Sequence, residues 1–174
     1  VTDGQLTDSG SFTLTVNPVN DAPVLDNILD VTFDEDISTQ FIVSATDIED
    51  DPLDFSISDG NNILADISDD IITFTATQDF NGFEDFIITV SDVYGDEDSQ
   101  SITVTVNPIN DAPVADDTSS QTDEDTSVDI ELIASDIDSD NLTYLLDQDS
   151  ADGFVHITGS TANFTPDEDF NGST

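Results

Sequence analysis

The chain has 174 residues, of which 41 are aspartate or glutamate and none is lysine or arginine, so its formal net charge at pH 7 is −41. A chain without cationic side chains cannot neutralise phosphate groups, which excludes nucleic acids and anionic membrane surfaces as direct partners. The absence of cysteine excludes disulfides and thiolate metal sites. Hydrophobic residues still make up 36% of the chain, which is enough for a folded core.

Apolar and polar residues alternate along several short segments, which is the period-two pattern of half-buried β-strands. Asp, Asn, Gly and Pro separate these segments, and no segment has the pattern of a helix. In chain order, the predicted strands lie at Phe12–Val16, Phe41–Ala45, Leu53–Ile57, Ile72–Phe74, Phe86–Val90, Ile102–Val106 and Leu142–Leu146. About seven short strands per ninety residues predict an all-β fold made of two-sheet sandwiches.

The sequence repeats itself at a fixed period. The phrase VNPVNDAPV at Val16–Val24 returns as VNPINDAPV at Val106–Val114, a separation of 90 residues. Three further phrases recur at nearly the same spacing: FDEDIS as TDEDTS, ATDIEDDPLDF as ASDIDSDNLTY, and FTATQDFNG as FTPDEDFNG. We therefore predict the last two strands of one repeat plus a linker in 1–22, a complete repeat in 23–112, and a repeat lacking its last two strands in 113–174. We interpret the chain as an internal segment of a longer protein.

These motifs resemble a known family. The NDAP joint at Asn20–Pro23 and Asn110–Pro113, the D-E-D start, the D-I-E/D loop and the D-F-N-G turn look like the cadherin-like repeats strung along large bacterial surface proteins and adhesins. The resemblance covers the whole chain. It implies cadherin- or immunoglobulin-like Greek-key β-sandwich repeats in a linear array.

The resemblance also implies calcium sites, because cadherins bind Ca2+ between successive modules. For the joint around Asn110, the implied ligands are Glu35, Asp79, Asn81, Asn110, Asp111, Asp136 and Asp138. For the joint around Asn20, they are Asn20, Asp21, Asp47, Glu49 and Asp92. Asn81 stands where the family has a glutamate, so we expect one or two ions per joint instead of three.

The residue types support calcium independently of any family. Calcium takes six to eight hard oxygen ligands from carboxylates, amides and backbone carbonyls. Each of these residues also has an alternative interpretation without metal. Asp136 and Asp138 would form a solvated turn, and Glu35 and Glu124 would be exposed acids beside a strand. Asn81 would serve only in an Asn-Gly turn. An EF-hand reading from Asp136 fails, because Asn141 stands where the glycine is required and the following LTYLL is predicted as a strand.

The function we expect is that of extracellular spacer modules in a bacterial cell-surface adhesion protein, stiffened by calcium at each joint. Their partners would be neighbouring repeats of the same chain, with host or biofilm surfaces bound through other domains. One alternative is direct adhesion by the repeats, to a copy of themselves or to a glycan, and another is an acidic tether without specific metal. A carboxylate-pair glycosidase is disfavoured, because catalytic sites rarely recur every ninety residues. We therefore expect no enzyme activity.

Overall fold

The computed structural model describes residues 1–174 and contains β-strands but no helix, which confirms the all-β prediction. No helix long and apolar enough to cross a bilayer is present. The chain divides into two compact units, Val1–Pro108 and Ile109–Thr174. The division falls inside the second copy of the repeated nine-residue phrase, Val106–Val114.

The first unit contains two main sheets. One has the order β2-β9-β8-β5, the other has the order β3-β7-β6, and β1 pairs separately with β4. Their strands are β1 (Val24–Leu25), β2 (Val31–Asp34), β3 (Ser38–Ile42), β4 (Ala45–Thr46), β5 (Asp54–Ile57), β6 (Ile63–Ser68), β7 (Ile71–Ala76), β8 (Gly82–Ser91) and β9 (Glu97–Asn107).

The chain passes directly between the two main sheets after β2, β5 and β7, and it passes from β3 to β5 by way of β4, which belongs to the separate pair. All strand pairs are antiparallel except β2 and β9, which run parallel with Val31 opposite Val104. Such crossing between two packed sheets is the Greek-key sandwich arrangement. The predicted two-sheet sandwich is therefore confirmed for this unit.

The core lies between the two sheets and is built from the alternating rows that the sequence predicts. Ile72 and Phe74 of β7 face Phe86 and Ile88 of β8, and all four side chains are fully buried. Ile102, Val104 and Val106 of β9 complete this layer, each at most 2% exposed. Burial of a large apolar side chain contributes about 1.5–3 kcal/mol, so this layer supplies most of the stability of the unit.

A glutamate on β8 holds the loop that precedes β6. The Glu84 carboxylate accepts hydrogen bonds from the backbone N–H groups of Asn61 (2.9 Å), Asn62 (2.8 Å) and Ile63 (3.4 Å). Partial burial raises the pKa of Glu84, but these hydrogen bonds outweigh burial, so the pKa lies below its usual value. The loop approaches so closely that a Cβ on Gly60 would lie 2.7 Å from Glu84 Oε2.

The first twenty-three residues contain no strand, and only an isolated bridge joins Thr2 to Thr7. The strand predicted at Phe12–Val16 is therefore not formed, and Phe12 is 90% exposed. A strand gains stability only when it pairs with neighbours and covers an apolar face, and this segment does neither. The assignment of 1–22 to a preceding repeat stays a prediction.

The second unit has the sheet β11-β14-β13 and the separate pair β10-β12. Its strands are β10 (Val114–Ala115), β11 (Val128–Glu131), β12 (Ala134–Ser135), β13 (Gly153–Thr158) and β14 (Thr161–Pro166). They match β1, β3, β4, β6 and β7 of the first unit in sequence and pairing.

This unit buries little apolar surface, since Ala162 is its one hydrophobic side chain in the buried core. The strand predicted at Leu142–Leu146 is not formed, and Leu145 is 85% exposed. The matching strand of the first unit, β5, is held by pairing with β8. No strand of the second unit pairs with the LTYLL segment.

Candidate metal centre

A five-residue loop after β4 gathers three carboxylates. Asp47 Oδ1 accepts hydrogen bonds from the backbone N–H groups of Glu49 (2.9 Å) and Asp51 (3.1 Å). Between them Asp50 takes a left-handed conformation with φ of 58°, which aspartate tolerates better than most residues. The turn brings one carboxylate oxygen from each of Asp47, Glu49 and Asp51 within 4.8 Å of one another.

The NDAP linker is fastened to this loop and to the loop between β8 and β9. Asp21 N–H donates to Glu49 Oε2 at 3.2 Å. Asn20 Nδ2 donates to Asp92 Oδ2 and to Asp96 Oδ2, both at 2.7 Å. Pro23 is among the fully buried residues of the unit. The predicted ligands Asn20, Asp21, Asp47, Glu49 and Asp92 are thus linked by direct contacts within one unit.

Asp92 is the most buried of these acids, with 7% of its surface exposed. Its Oδ1 accepts hydrogen bonds from the backbone N–H groups of Tyr94 (2.8 Å), Gly95 (2.8 Å) and Asp96 (3.0 Å). The hydrogen bond from Asn20, followed by these backbone bonds, outweighs burial and lowers the pKa of Asp92. Asp92 therefore carries its negative charge at neutral pH.

Two buried oxygens of the cluster have no hydrogen-bond donor: Asn20 Oδ1 and Asp47 Oδ2. Leaving a buried acceptor unsatisfied costs about 1–3 kcal/mol. Burial, followed by the charges of Asp47 and Asp92, raises the pKa of Asp51. The cluster thus holds too many acceptors and too much negative charge for the donors present.

A hard cation fits these groups. Calcium–oxygen distances of 2.3–2.6 Å allow two ligands of one ion to lie up to about 5 Å apart, and the 4.8 Å limit on Asp47, Glu49 and Asp51 satisfies that condition. All the candidate ligands are oxygens, as calcium prefers, and none is the imidazole or thiolate that zinc prefers.

The second unit builds the same loop. Asp136 Oδ1 accepts from the N–H groups of Asp138 (2.9 Å) and Asp140 (3.3 Å), and Ser139 has a φ of 64°. The linker contact recurs as well, because Asp111 N–H donates to Asp138 Oδ2 at 2.7 Å. Since both copies share the D-I-x-x-D pattern, the loop geometry follows from these residues and their spacing.

The remaining predicted ligands lie elsewhere in the first unit. Glu35 is only 3% exposed, so the alternative of an exposed acid is wrong for this residue, and its N–H bonds to the Asn107 carbonyl at 3.0 Å. Asp79 has a φ of 57° and donates its N–H to Asp36 Oδ1 at 3.5 Å. Asn81 is exposed and precedes Gly82, the first residue of β8, whose φ of 151° favours glycine.

Sequence reasoning missed two acids of the first-unit cluster. Asp51 stands two residues beyond Glu49, where the loop turns its carboxylate back toward Asp47. Asp96 contacts Asn20 only across 76 residues of chain, so no local pattern indicates it. The D-x-x-x-D spacing of Asp92 and Asp96 matches that of Asp47 and Asp51, and this repetition was the available signal.

A comparison with protein families supplies the identification. A family model described as "Bacterial Ig domain" matches residues 20–105 and, a second time, residues 110–174. The chain belongs to the bacterial Ig domain family. The two matched segments are tandem copies, which confirms the predicted tandem repeats. No sequence among curated proteins matches the chain.

Solved structures show the same fold as these bacterial Ig domains. Human protocadherin-24 EC1-2 matches with a TM-score of 0.57 and 20% identity, over 86% of this chain and 81% of that chain. Drosophila N-cadherin EC1-4 matches with a TM-score of 0.57 and 20% identity, over 87% of this chain and 43% of that chain. The predicted resemblance to cadherin repeats is therefore confirmed at the level of the fold.

Proposed function

We propose that these bacterial Ig domains are calcium-stabilised spacer modules of an extracellular adhesion protein, with the ions bound at the joints between repeats. One observation carries the proposal: Asp47, Glu49 and Asp51 converge, and the buried Asp47 Oδ2 has no donor. A divalent cation at this cluster would satisfy that oxygen and offset the repulsion among the carboxylates.

The position of the cluster connects metal binding to the joint. The linker residues Asn20 and Asp21 bond directly to the acids of the following repeat. An ion held there would fix the direction in which the linker leaves the repeat. The contact between Asp21 and Glu49 has an equivalent in the second linker, where Asp111 donates to Asp138. We therefore propose an equivalent site with Asn110, Asp111, Asp136 and Asp138. Glu35, Asp79 and Asn81 stay predicted ligands of that joint.

The charge of the chain makes cation binding energetically important. With a net charge of −41 and no basic side chain, self-repulsion opposes the compact state. For one site with a Kd of about 0.1 mM, calcium at about 10 mM stabilises the bound state by roughly 2.7 kcal/mol. That exceeds the contribution of about 0–1 kcal/mol expected from an exposed ion pair.

Calorimetric titration of the whole chain with calcium tests the proposal. It is combined with melting curves in calcium and in chelator. We expect saturable binding and a higher Tm in calcium, and we expect both to be lost in a D47N/D51N variant. Because asparagine keeps an acceptor oxygen, that variant preserves the turn while removing charge. The matched control is D66N/D70N, which removes two exposed acids of β6 and its following turn.

Two results would overturn the proposal. One is an unchanged Tm with no binding heat. The other is equal stabilisation by magnesium or sodium chloride, which would favour an acidic tether without a specific site. Small-angle scattering in calcium and in chelator then reports whether the ion also restricts movement between repeats, as a spacer requires.

A further inference from the structure

The side chain of Asn20 joins two acids from another part of its unit. Its single amide nitrogen donates one hydrogen bond to Asp92 Oδ2 and one to Asp96 Oδ2, both at 2.7 Å. Chemistry dictates this orientation of the amide, because the opposite one would place the oxygen of Asn20 against two carboxylate oxygens. The amide therefore supplies positive partial charge between two anions, in a chain that has no lysine or arginine.

The second unit provides an internal comparison. Asn110 occupies the same place in the second NDAP linker, but its Nδ2 donates to the carbonyl of Asp111 at 2.8 Å. The positions that match Asp92 and Asp96 at the 90-residue period fall after residue 174, so Asn110 serves as a reference without that contact. Pro113 is exposed, whereas Pro23 is fully buried. The linker that makes the long-range contact through Asn20 is thus also the one whose proline is buried against its unit.

We infer that Asn20, Asp92 and Asp96 form a metal-independent clasp, which holds the linker on the repeat in the absence of calcium and opens when the cation binds. The first half of this inference stands on the hydrogen bonds alone. The second half rests on the proposed function, because it requires an ion at this cluster.

The contacts of Asp92 explain why the clasp and the ion compete. Its Oδ1 already accepts three backbone N–H groups, and its Oδ2 accepts Asn20 Nδ2. A calcium ion bound about 2.4 Å from Asp92 Oδ2 would face the positive end of the Asn20 amide at the same oxygen. Rotation of the amide removes this repulsion and turns the donor-free Asn20 Oδ1 into a possible calcium ligand.

Amide hydrogen exchange of the Asn20 side chain tests the first half. The two Nδ2–H signals are assigned by NMR from their loss in an N20A variant. In chelator, we expect them to exchange at least tenfold more slowly than those of Asn110, and to exchange faster in a D96A variant. Equal exchange for Asn20 and Asn110 would overturn the clasp.

A calcium titration followed by the same signals tests the second half. We expect the Asn20 Nδ2–H signals to shift and to lose protection from exchange at the calcium concentrations at which binding heat is released. The Asn110 signals should not follow that binding curve. If calcium binds while the Asn20 amide stays protected and unshifted, the clasp does not open on calcium binding and the second half of the inference is wrong. If no calcium binds but protection in chelator is present, the proposed function fails while the clasp itself stands.

Discussion

Phe74 of β7 and Phe86 of β8 meet across the two sheets of the first unit, with ring centroids 4.9 Å apart and ring planes inclined by 57°. Both side chains are fully buried. Tilted aromatic pairs at this distance contribute about 0.5–1.5 kcal/mol beyond the burial of their area. This contact therefore fixes how one sheet lies on the other, and the loops of the candidate metal site are built on those sheets.

We expect F86A to lower the free energy of unfolding of the first unit by about 3–5 kcal/mol, because it removes a buried ring and leaves a cavity. Urea unfolding followed by circular dichroism measures the change. The control is F83A on the same strand, where the side chain is 69% exposed and the expected loss is below about 0.5 kcal/mol. Equal losses in both variants would contradict the described core.

We expect E84Q to destabilise the first unit by about 1–2 kcal/mol near neutral pH, because a charged acceptor of three backbone N–H groups becomes neutral. The pKa of Glu84 is lowered on folding. The stability that its charge adds to the folded state is therefore present above the ordinary pKa of 4.5 and is lost as pH falls through the folded pKa.

The difference in Tm between the wild type and E84Q should therefore shrink below pH 4.5. Thermal melts between pH 3 and pH 7 measure this difference. E97Q, which changes an exposed acid whose carboxylate accepts no hydrogen bond, is the control and should leave Tm unchanged. A difference that stays constant down to pH 3 would show that Glu84 does not act through its charge.

We expect G60A to destabilise the first unit by more than about 2 kcal/mol, because the added Cβ would lie 2.1 Å from the Ile63 carbonyl oxygen and 2.7 Å from Phe86 Cζ. Backbone atoms cannot move aside without disturbing β6. G10A is the matched control, since a Cβ there meets nothing within 4 Å. A G60A protein that melts at the wild-type temperature would show that this approach is looser than described.

We expect D51N to raise Tm in chelator and to weaken calcium binding by about tenfold, because fewer anionic ligands lower affinity. The pKa of Asp51 is raised on folding by burial and then by Asp47 and Asp92. Its charge therefore opposes folding at neutral pH, and asparagine removes that penalty. D70N, at an exposed turn, should change neither quantity. Lower stability of D51N in chelator would contradict the electrostatic account.

The repeats, the strand rows and the acidic loops could be read from the sequence because each depends on local spacing. The rows Phe86–Val90 and Ile102–Val106 alternate in the sequence and are buried in the same alternation in the fold. The D-I-x-x-D loops form in both units because a short turn suffices to build them.

Other features needed contacts between distant residues. The pairing of Asn20 with Asp96 spans 76 residues, and no local pattern predicts it. The strands predicted at Phe12–Val16 and Leu142–Leu146 have the correct alternation but are not formed. Alternation shows which face of a segment is apolar, whereas a strand also needs a neighbouring strand to satisfy its backbone hydrogen bonds.

The sequence by itself determined the all-β fold, the period of the repeats and the acidic loops, because side-chain periodicity and turn chemistry act over a few residues. Only the tertiary structure decided which acids meet, which of their oxygens lack donors and which predicted strands form. Those outcomes depend on burial and on partners contributed from far along the chain, and a carboxylate acquires its hydrogen bonds and its charge environment only when the sheets have packed.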